Sequence, residues 1–245
     1  MTMRVLELWR YPVKSLQGEL VDEIGVTASG LDGDRGFAIF DVETGLGLTA
    51  RREPAMLFGS ARWIDGGQVE ITLPDGSVAT DDDALSRWLG RHVTLRAADT
   101  PGAREFENPL DFEHEDASTW QVWDGSPLAF HDSARTAVSL ISTSTLGGWD
   151  RRRFRANVVL DGAGEDDLVG TQVCVGDAVL DVGKRISRCV MTTRPQPGGI
   201  ERDLDVLRTI NRERDGHLAV GALVVRPGTV RVGDPVLPVV GGISR

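Results

Sequence analysis

Cysteine is scarce: Cys174 and Cys189 are the two in 245 residues, so at most one disulfide can form and a disulfide-stapled scaffold is excluded. No apolar run approaches the roughly 20 residues that a membrane helix needs. The opening Met1-Thr2-Met3-Arg4-Val5 has no apolar signal-peptide core, so a cytoplasmic protein without a membrane partner is expected. A basic excess is missing too: 27 Lys and Arg against 37 Asp and Glu give a net charge of -10, which argues against nucleic-acid binding through a basic footprint. The four histidines, His92, His114, His131 and His217, are scattered without zinc-ligand spacing or a nucleophile beside them. There is no Walker-type phosphate loop, no dinucleotide glycine fingerprint and no internal repeat. What remains is an ordinary globular composition, 40% hydrophobic and 26% charged, with enough chain for one large β-rich domain or two smaller ones.

Glycine, by contrast, is plentiful at 29 residues, which predicts many turns and short strands. Strand patterns run through Val5–Trp9, Ile24–Val26, Gly36–Asp41, 57–64 and 68–73, with a glycine turn over Gly30–Asp34 and a hairpin signal at Asp65-Gly66-Gly67. One helix is expected over Asp81–Gly90, capped by its leading aspartates and facing the core with Leu85, Trp88 and Leu89. The acidic, proline-containing stretch 99–118 reads as a solvated boundary loop. Beyond it, strands are expected near 137–141, 156–160, 171–175, 178–182, 218–225, 229–232 and 235–239, with a helix over 203–214. The fold class is mainly β with a few helices (α+β), divided into residues 1–112 and 113–245.

Chemistry concentrates around Cys189. Lys184, Arg185, Arg188 and Arg194 flank it in sequence, and a Pro/Gly-rich turn follows. Positive surroundings favour thiolate over thiol, and a thiolate is a soft ligand for transition metals. Cys174, inside the strand-like Val173-Cys174-Val175, reads as structural. Elsewhere, small polar or basic residues recur at strand ends: Lys14-Ser15, Arg35, Ser142-Thr143, Arg155 with Asn157, and Ser187. Arginine forks, a lysine point charge and hydroxyls are the parts from which anion sites are built. Singly, each has an ordinary explanation: a solvated Lys-Ser turn, Arg35 paired with Asp32 or Asp34, Arg151–Arg153 as a surface face.

Together these segments resemble the MOSC family, most closely its amidoxime-reducing branch. Leu8-Trp9-Arg10-Tyr11-Pro12-Val13-Lys14-Ser15 is similar to that branch's opening strand and Tyr-Pro-Val-Lys-Ser signature. Gly33-Asp34-Arg35-Gly36-Phe37 and Leu48-Thr49-Ala50-Arg51-Arg52-Glu53-Pro54 resemble its next two elements. Phe154-Arg155-Ala156-Asn157 resembles Phe-Arg-Pro-Asn, with alanine where proline is usual. Ser187-Arg188-Cys189-Val190-Met191-Thr192-Thr193 resembles the cysteine motif, and Gly228–Asp234 the closing strand pair.

The resemblance implies an N-terminal β-barrel-like domain, then a MOSC β-barrel. It implies a molybdenum cofactor, a pterin with a dithiolene and a phosphate, with Cys189 as metal ligand. Lys14, Ser15, Arg35, Ser142, Thr143, Arg155, Asn157 and Ser187 would then hold pterin and phosphate. The family also carries an association with pyridoxal phosphate binding. The implied activity is reduction of N-hydroxylated or other N-oxygenated small molecules. No cysteine cluster for an iron–sulfur centre is present, so electrons would come from a separate ferredoxin-, flavoprotein- or cytochrome-type protein. The alternative is a sulfur carrier, or a cofactor-handling protein, using a persulfide on Cys189.

Overall fold

Alternation decides which segments become strands. In Glu23–Thr27 only Ile24 and Val26 are buried, and in Val5–Arg10 the buried pair is Val5 and Leu8, with a bulge between Val5 and Glu7. Such burial turns one face of a pleated strand to the core. The computed structural model describes residues 2–64, 66–102, 104–111 and 117–239. Among these, strands predominate, as the sequence predicts, and three α-helices occur: the two expected and an unexpected short third, Thr143–Leu146.

The largest sheet has eight strands in the order 236–238, 171–175, 178–187, 217–226, 138–142, 158–160, 5–10 and 19–21, and it curls into a half-barrel. Strands 138–142 and 158–160 run parallel; the remaining pairings in this sheet are antiparallel. Val5–Arg10 therefore lies inside a sheet drawn mainly from the second half of the chain, and Glu23–Thr27 pairs with Gly228–Arg231. Leu8, Leu140, Leu160, Val182 and Val220 fill the core beneath. A second core joins Val13, Leu16, Ile39, Met56, Leu57 and Leu85.

The helix Asp82–Leu89 begins where the Asp81 carboxylate accepts the Ala84 N–H at 2.8 Å and ends at Gly90 in the left-handed region. Leu85 and Leu89 point inward, while Trp88 is half-buried. Leu204–Arg214 buries Val206 and Ile210, one turn apart, against Ile141, Phe154 and Leu218. The expected strand 57–64 is shorter than predicted. Pro54–Phe58 is a 3-10 turn led by proline, and pairing begins at Ser60. Its hairpin with Gln68–Thr72 is present.

The acidic stretch departs most from expectation. In place of a solvated loop, Glu105–Pro109 is a strand paired with Trp120–Asp124. Its anchor is Phe106, fully buried with ring centroids 5.7 Å from Phe40 and 6.1 Å from Phe130. Glu105 and Glu107 are the outward residues of a half-buried strand, so acidic composition hid its alternation. Residues 112–116 of that stretch lie outside the described residues. No helix among the described residues is long and apolar enough to cross a membrane.

Candidate functional site

The first strand ends at Arg10, and Pro12 keeps the chain extended as it turns under the sheet. Tyr11, the chain's one tyrosine, donates its backbone N–H to Asp34 Oδ1 at 2.8 Å. Its ring carries two guanidinium groups, Arg155 at 4.4 Å and Arg35 at 5.2 Å from the centroid. Burial pushes the Tyr11 hydroxyl up to about 12, so it stays protonated and serves as a platform. Lys14 follows, 4% exposed. Its ammonium donates to the Phe130 carbonyl at 3.0 Å and to the Asp132 carboxylate, and lies 4.8 Å from the centre of the Phe106 ring. The strand expected as a loop thus supports a lysine of the cavity wall.

Three site residues hold left-handed backbone without being glycine: Ser15 at φ 71°, Arg35 at φ 51° and Arg155 at φ 51°. Each such residue costs about 1–2 kcal/mol and persists only where its surroundings impose it. Ser15 Oγ accepts the Ala50 N–H at 3.0 Å. Arg35 pairs with Asp34 and donates from Nη2 to the Arg155 carbonyl at 3.3 Å. Arg155 reaches the Leu16 carbonyl. The strand ends are pinned so that both guanidinium groups meet over Tyr11.

The opposite wall is the end of strand 178–187. Its pairing with 217–226 shifts register between Arg185 and Ser187, and such bulges re-aim the side chains that follow. Arg188 donates to the Leu218 and Phe154 carbonyls at 2.8 and 3.0 Å, while its Nη2 is buried with no partner among the described residues. Cys189 is half-buried and opens the 3-10 turn Val190–Thr193; its carbonyl accepts from Thr192, and its sulfur takes no part in the cap.

These walls enclose a cavity of about 420 Å³. Seven Lys and Arg side chains line it, and Asp132 is the one carboxylate among its lining residues. The crowding leaves its mark on the charged groups. Burial, then repulsion from Arg35, brings Arg155 down to about 10. Burial brings Arg188 down to about 10 as well. Burial works against the Arg35 charge too, yet Asp34 and Asp132 outweigh it and raise its affinity for the proton. Burial and the Arg35 charge hold His131 below its usual range, and its Nε2 meets the Ser29 carbonyl at 2.9 Å, which makes Nε2 the protonated nitrogen. This is a pocket short of negative charge in a protein of net charge -10.

Of the residues singled out from sequence, Lys14, Ser15, Arg35, Arg155, Asn157, Ser187 and Cys189 line this cavity. Asn157 is spent on the scaffold: Oδ1 accepts from Ser139 N and Oγ at 3.1 and 2.9 Å, and Nδ2 reaches the Trp9 carbonyl at 3.3 Å. Ser142 and Thr143 are not among the lining residues. Ser142 is fully buried and caps the short helix Thr143–Leu146, and Thr143 Oγ1 bonds to the backbone of Gly162. The arginine run is not a uniform surface face. Arg153 turns inward and donates to the carbonyls of Thr192, Arg194 and Glu201, because a 3-10 turn separates its direction from those of Arg151 and Arg152. Asp132 and His131 escaped sequence reading; the signal was a His-Asp pair closing the apolar Leu128-Ala129-Phe130. Thr49 and Arg51, quoted there only as part of a motif, line the cavity as well.

The chain is 27% identical to the mitochondrial amidoxime-reducing component 1 of Mus musculus, over 95% of this chain and 81% of that protein. It is 25% identical to the mitochondrial amidoxime-reducing component 1 of Homo sapiens, over 95% of this chain and 82% of that one. Among solved structures, the YUAD protein of Bacillus subtilis aligns over 96% of this chain and 94% of that chain at 12% identity, with a TM-score of 0.45. The model for the MOSC N-terminal beta barrel domain matches residues 2–131, and that for the MOSC domain residues 127–237. Matched from its first strand to its last by these two models, the chain belongs to the MOSC family.

Proposed function

We propose that this chain is a molybdenum-cofactor-dependent reductase of N-hydroxylated compounds, supplied with electrons by a separate redox protein. One observation carries the reading: Lys14, Arg35, Arg155 and Arg188 converge with the Cys189 thiol on one cavity of an otherwise acidic chain. The donor set fits a phosphate-bearing metal cofactor. It offers a soft sulfur, several cations with one opposing carboxylate, and buried polar atoms that find no partner among the described residues, Arg188 Nη2 and Thr49 Oγ1 among them. The names of the relatives, amidoxime-reducing components, support the substrate class.

When bound, the molybdenum cofactor supplies the two-electron redox chemistry. Cys189 Sγ would ligate the metal. Lys14, Arg35 and Arg155 would hold the phosphate, and the hydroxyls of Ser15 and Ser187 would complete the shell. Asn157 keeps the wall in register through Ser139 and Trp9, and Ser142 and Thr143 would act beneath it through the helix cap. The overall reaction consumes an amidoxime, two electrons and two protons and releases the amidine and water. An acidic electron donor suits the basic cavity mouth, because complementary charge speeds encounter.

Chemically reduced viologen should drive conversion of benzamidoxime to benzamidine by cofactor-loaded protein, and Cys189→Ala should not support it. Loaded protein that reduces no N-hydroxylated compound, yet acquires a cyanide-labile sulfur on Cys189 from a cysteine desulfurase, would refute the reductase and establish the sulfur carrier.

A further inference from the structure

Lys184 lines the same cavity as Lys14, Arg35, Arg51, Arg153, Arg155 and Arg188, but the charge that acts on it is that of Arg135. Lys184 sits on strand 178–187 and pairs with Gly221 of strand 217–226. A Cβ at Gly221 would fall 2.5 Å from Thr136 Oγ1. Only glycine there lets the Thr136 side chain lie against the strand, next to the Lys184 position. Thr136 Oγ1 is buried and finds no hydrogen-bond partner among the described residues, and Arg135 precedes it, exposed. Burial, then the Arg135 charge, hold Lys184 below the usual ammonium range. Neither Lys184 nor Arg135 forms an ion pair among the described residues. No carboxylate among the described residues is set against this pair.

Two cations and a buried hydroxyl, none with an acceptor among the described residues, make a place for an anion. We propose that Lys184, Arg135 and Thr136 form an anion subsite at the solvent end of the cavity, which selects substrates carrying a carboxylate remote from the N-hydroxy group. The identity of the substrate rests on the reductase reading above; the subsite itself does not. Cys189 lies five positions beyond Lys184, two past the end of the strand at Ser187, about 16 Å between backbone positions if the chain were fully extended, less with the bulge. Ile186 lines the interval. The matching ligand has a short apolar body between its two polar ends, as a carboxylated aryl amidoxime does.

The test compares neutral benzamidoxime with 4-carboxybenzamidoxime, with reduced viologen as donor. Wild-type protein should favour the carboxylated compound in kcat/KM, chiefly through KM. Lys184→Gln should lower the ratio of the two kcat/KM values about tenfold or more, the span of one lost charge-assisted contact. Arg135→Gln should move it the same way by less, and Lys184→Arg should restore it. Calorimetric titration of cofactor-loaded protein with 4-carboxybenzamidine and with benzamidine should give the same contrast without turnover. An unchanged ratio together with an unchanged calorimetric contrast overturns the subsite. Loss of molybdenum and pterin per chain in Lys184→Gln also overturns it, since the anion would then be the cofactor's phosphate. Protein that reduces neither compound, yet binds the carboxylated ligand in a Lys184-dependent way, would refute the reductase and leave the subsite standing.

Discussion

Replacing Ser15 by alanine and by glycine should reverse the usual order of the two substitutions. Ser15 is 9% exposed, holds φ at 71° and accepts the Ala50 N–H at 3.0 Å. Alanine loses that bond and keeps the left-handed strain. The lost bond costs about 1 kcal/mol, rising to about 3 if the buried Ala50 N–H finds no other acceptor. Glycine loses the same bond but removes about 1–2 kcal/mol of strain, against about 0.4–1 kcal/mol of added freedom in the unfolded chain. Glycine should therefore be the more stable variant by about 0.5–1 kcal/mol, or about 1–4 °C in Tm for a domain of this size. The assay is thermal and urea unfolding of cofactor-free protein, because bound ligand would shift both variants by mass action. If alanine equals or exceeds glycine, the left-handed turn is not imposed at Ser15. Left-handed strain would then be no mark of the cavity wall at Ser15, Arg35 and Arg155.

Those three residues explain why so much of the site was legible. Each stands beside a sequence feature that fixes the local chain: Pro12 before Lys14-Ser15, the Gly33-Asp34 turn before Arg35, the 3-10 turn of Arg151–Arg153 before Arg155. Short-range chemistry is written in short segments, and strands and helices followed from period and caps in the same way. The parts not read depend on distant partners. Glu105–Pro109 is a strand because Phe106 finds Phe40 and Phe130, and nothing within the acidic stretch announces them. The run Ser142-Thr143-Ser144-Thr145 offers several equivalent hydroxyl registers, and which one becomes a helix cap is settled by the parallel pairing of 138–142 with 158–160. Asp132 acquires its role from Lys14, 118 positions earlier. Seating Val5–Arg10 beside Val158–Leu160 likewise joins the ends of the chain in one sheet, which periodicity alone cannot reveal.

Cys189→Ala should abolish molybdenum retention and Cys174→Ala should not, by elemental analysis of protein made in a cofactor-competent host; equal metal content in wild type and Cys189→Ala would remove the ligand assignment. Phe106→Ala should cost about 3–5 kcal/mol in urea unfolding, as expected for an emptied aromatic site, and a cost under about 1 kcal/mol would mean that the hairpin does not anchor the Lys14 wall. The last expectation concerns acid. Partial desolvation works against the Asp132 charge, although its side chain is 66% exposed, but Lys14, Arg51 and Arg35 outweigh it and hold the carboxyl below its ordinary 3.8. Between the folded and unfolded values the unfolded chain binds more protons, so stability rises with pH there. The contribution of Asp132 is complete above its unfolded value and is lost as pH falls through the folded one. The stability gap between wild type and Asp132→Asn, measured by urea unfolding from pH 6 down to pH 3, should therefore be widest at the upper end and shrink below about pH 4. Asparagine does not titrate, so drift common to both proteins cancels. A gap that stays constant across that range would mean that Asp132 carries no depressed carboxylate in the folded protein, and that Lys14 is held by the Phe130 carbonyl and the Phe106 ring instead.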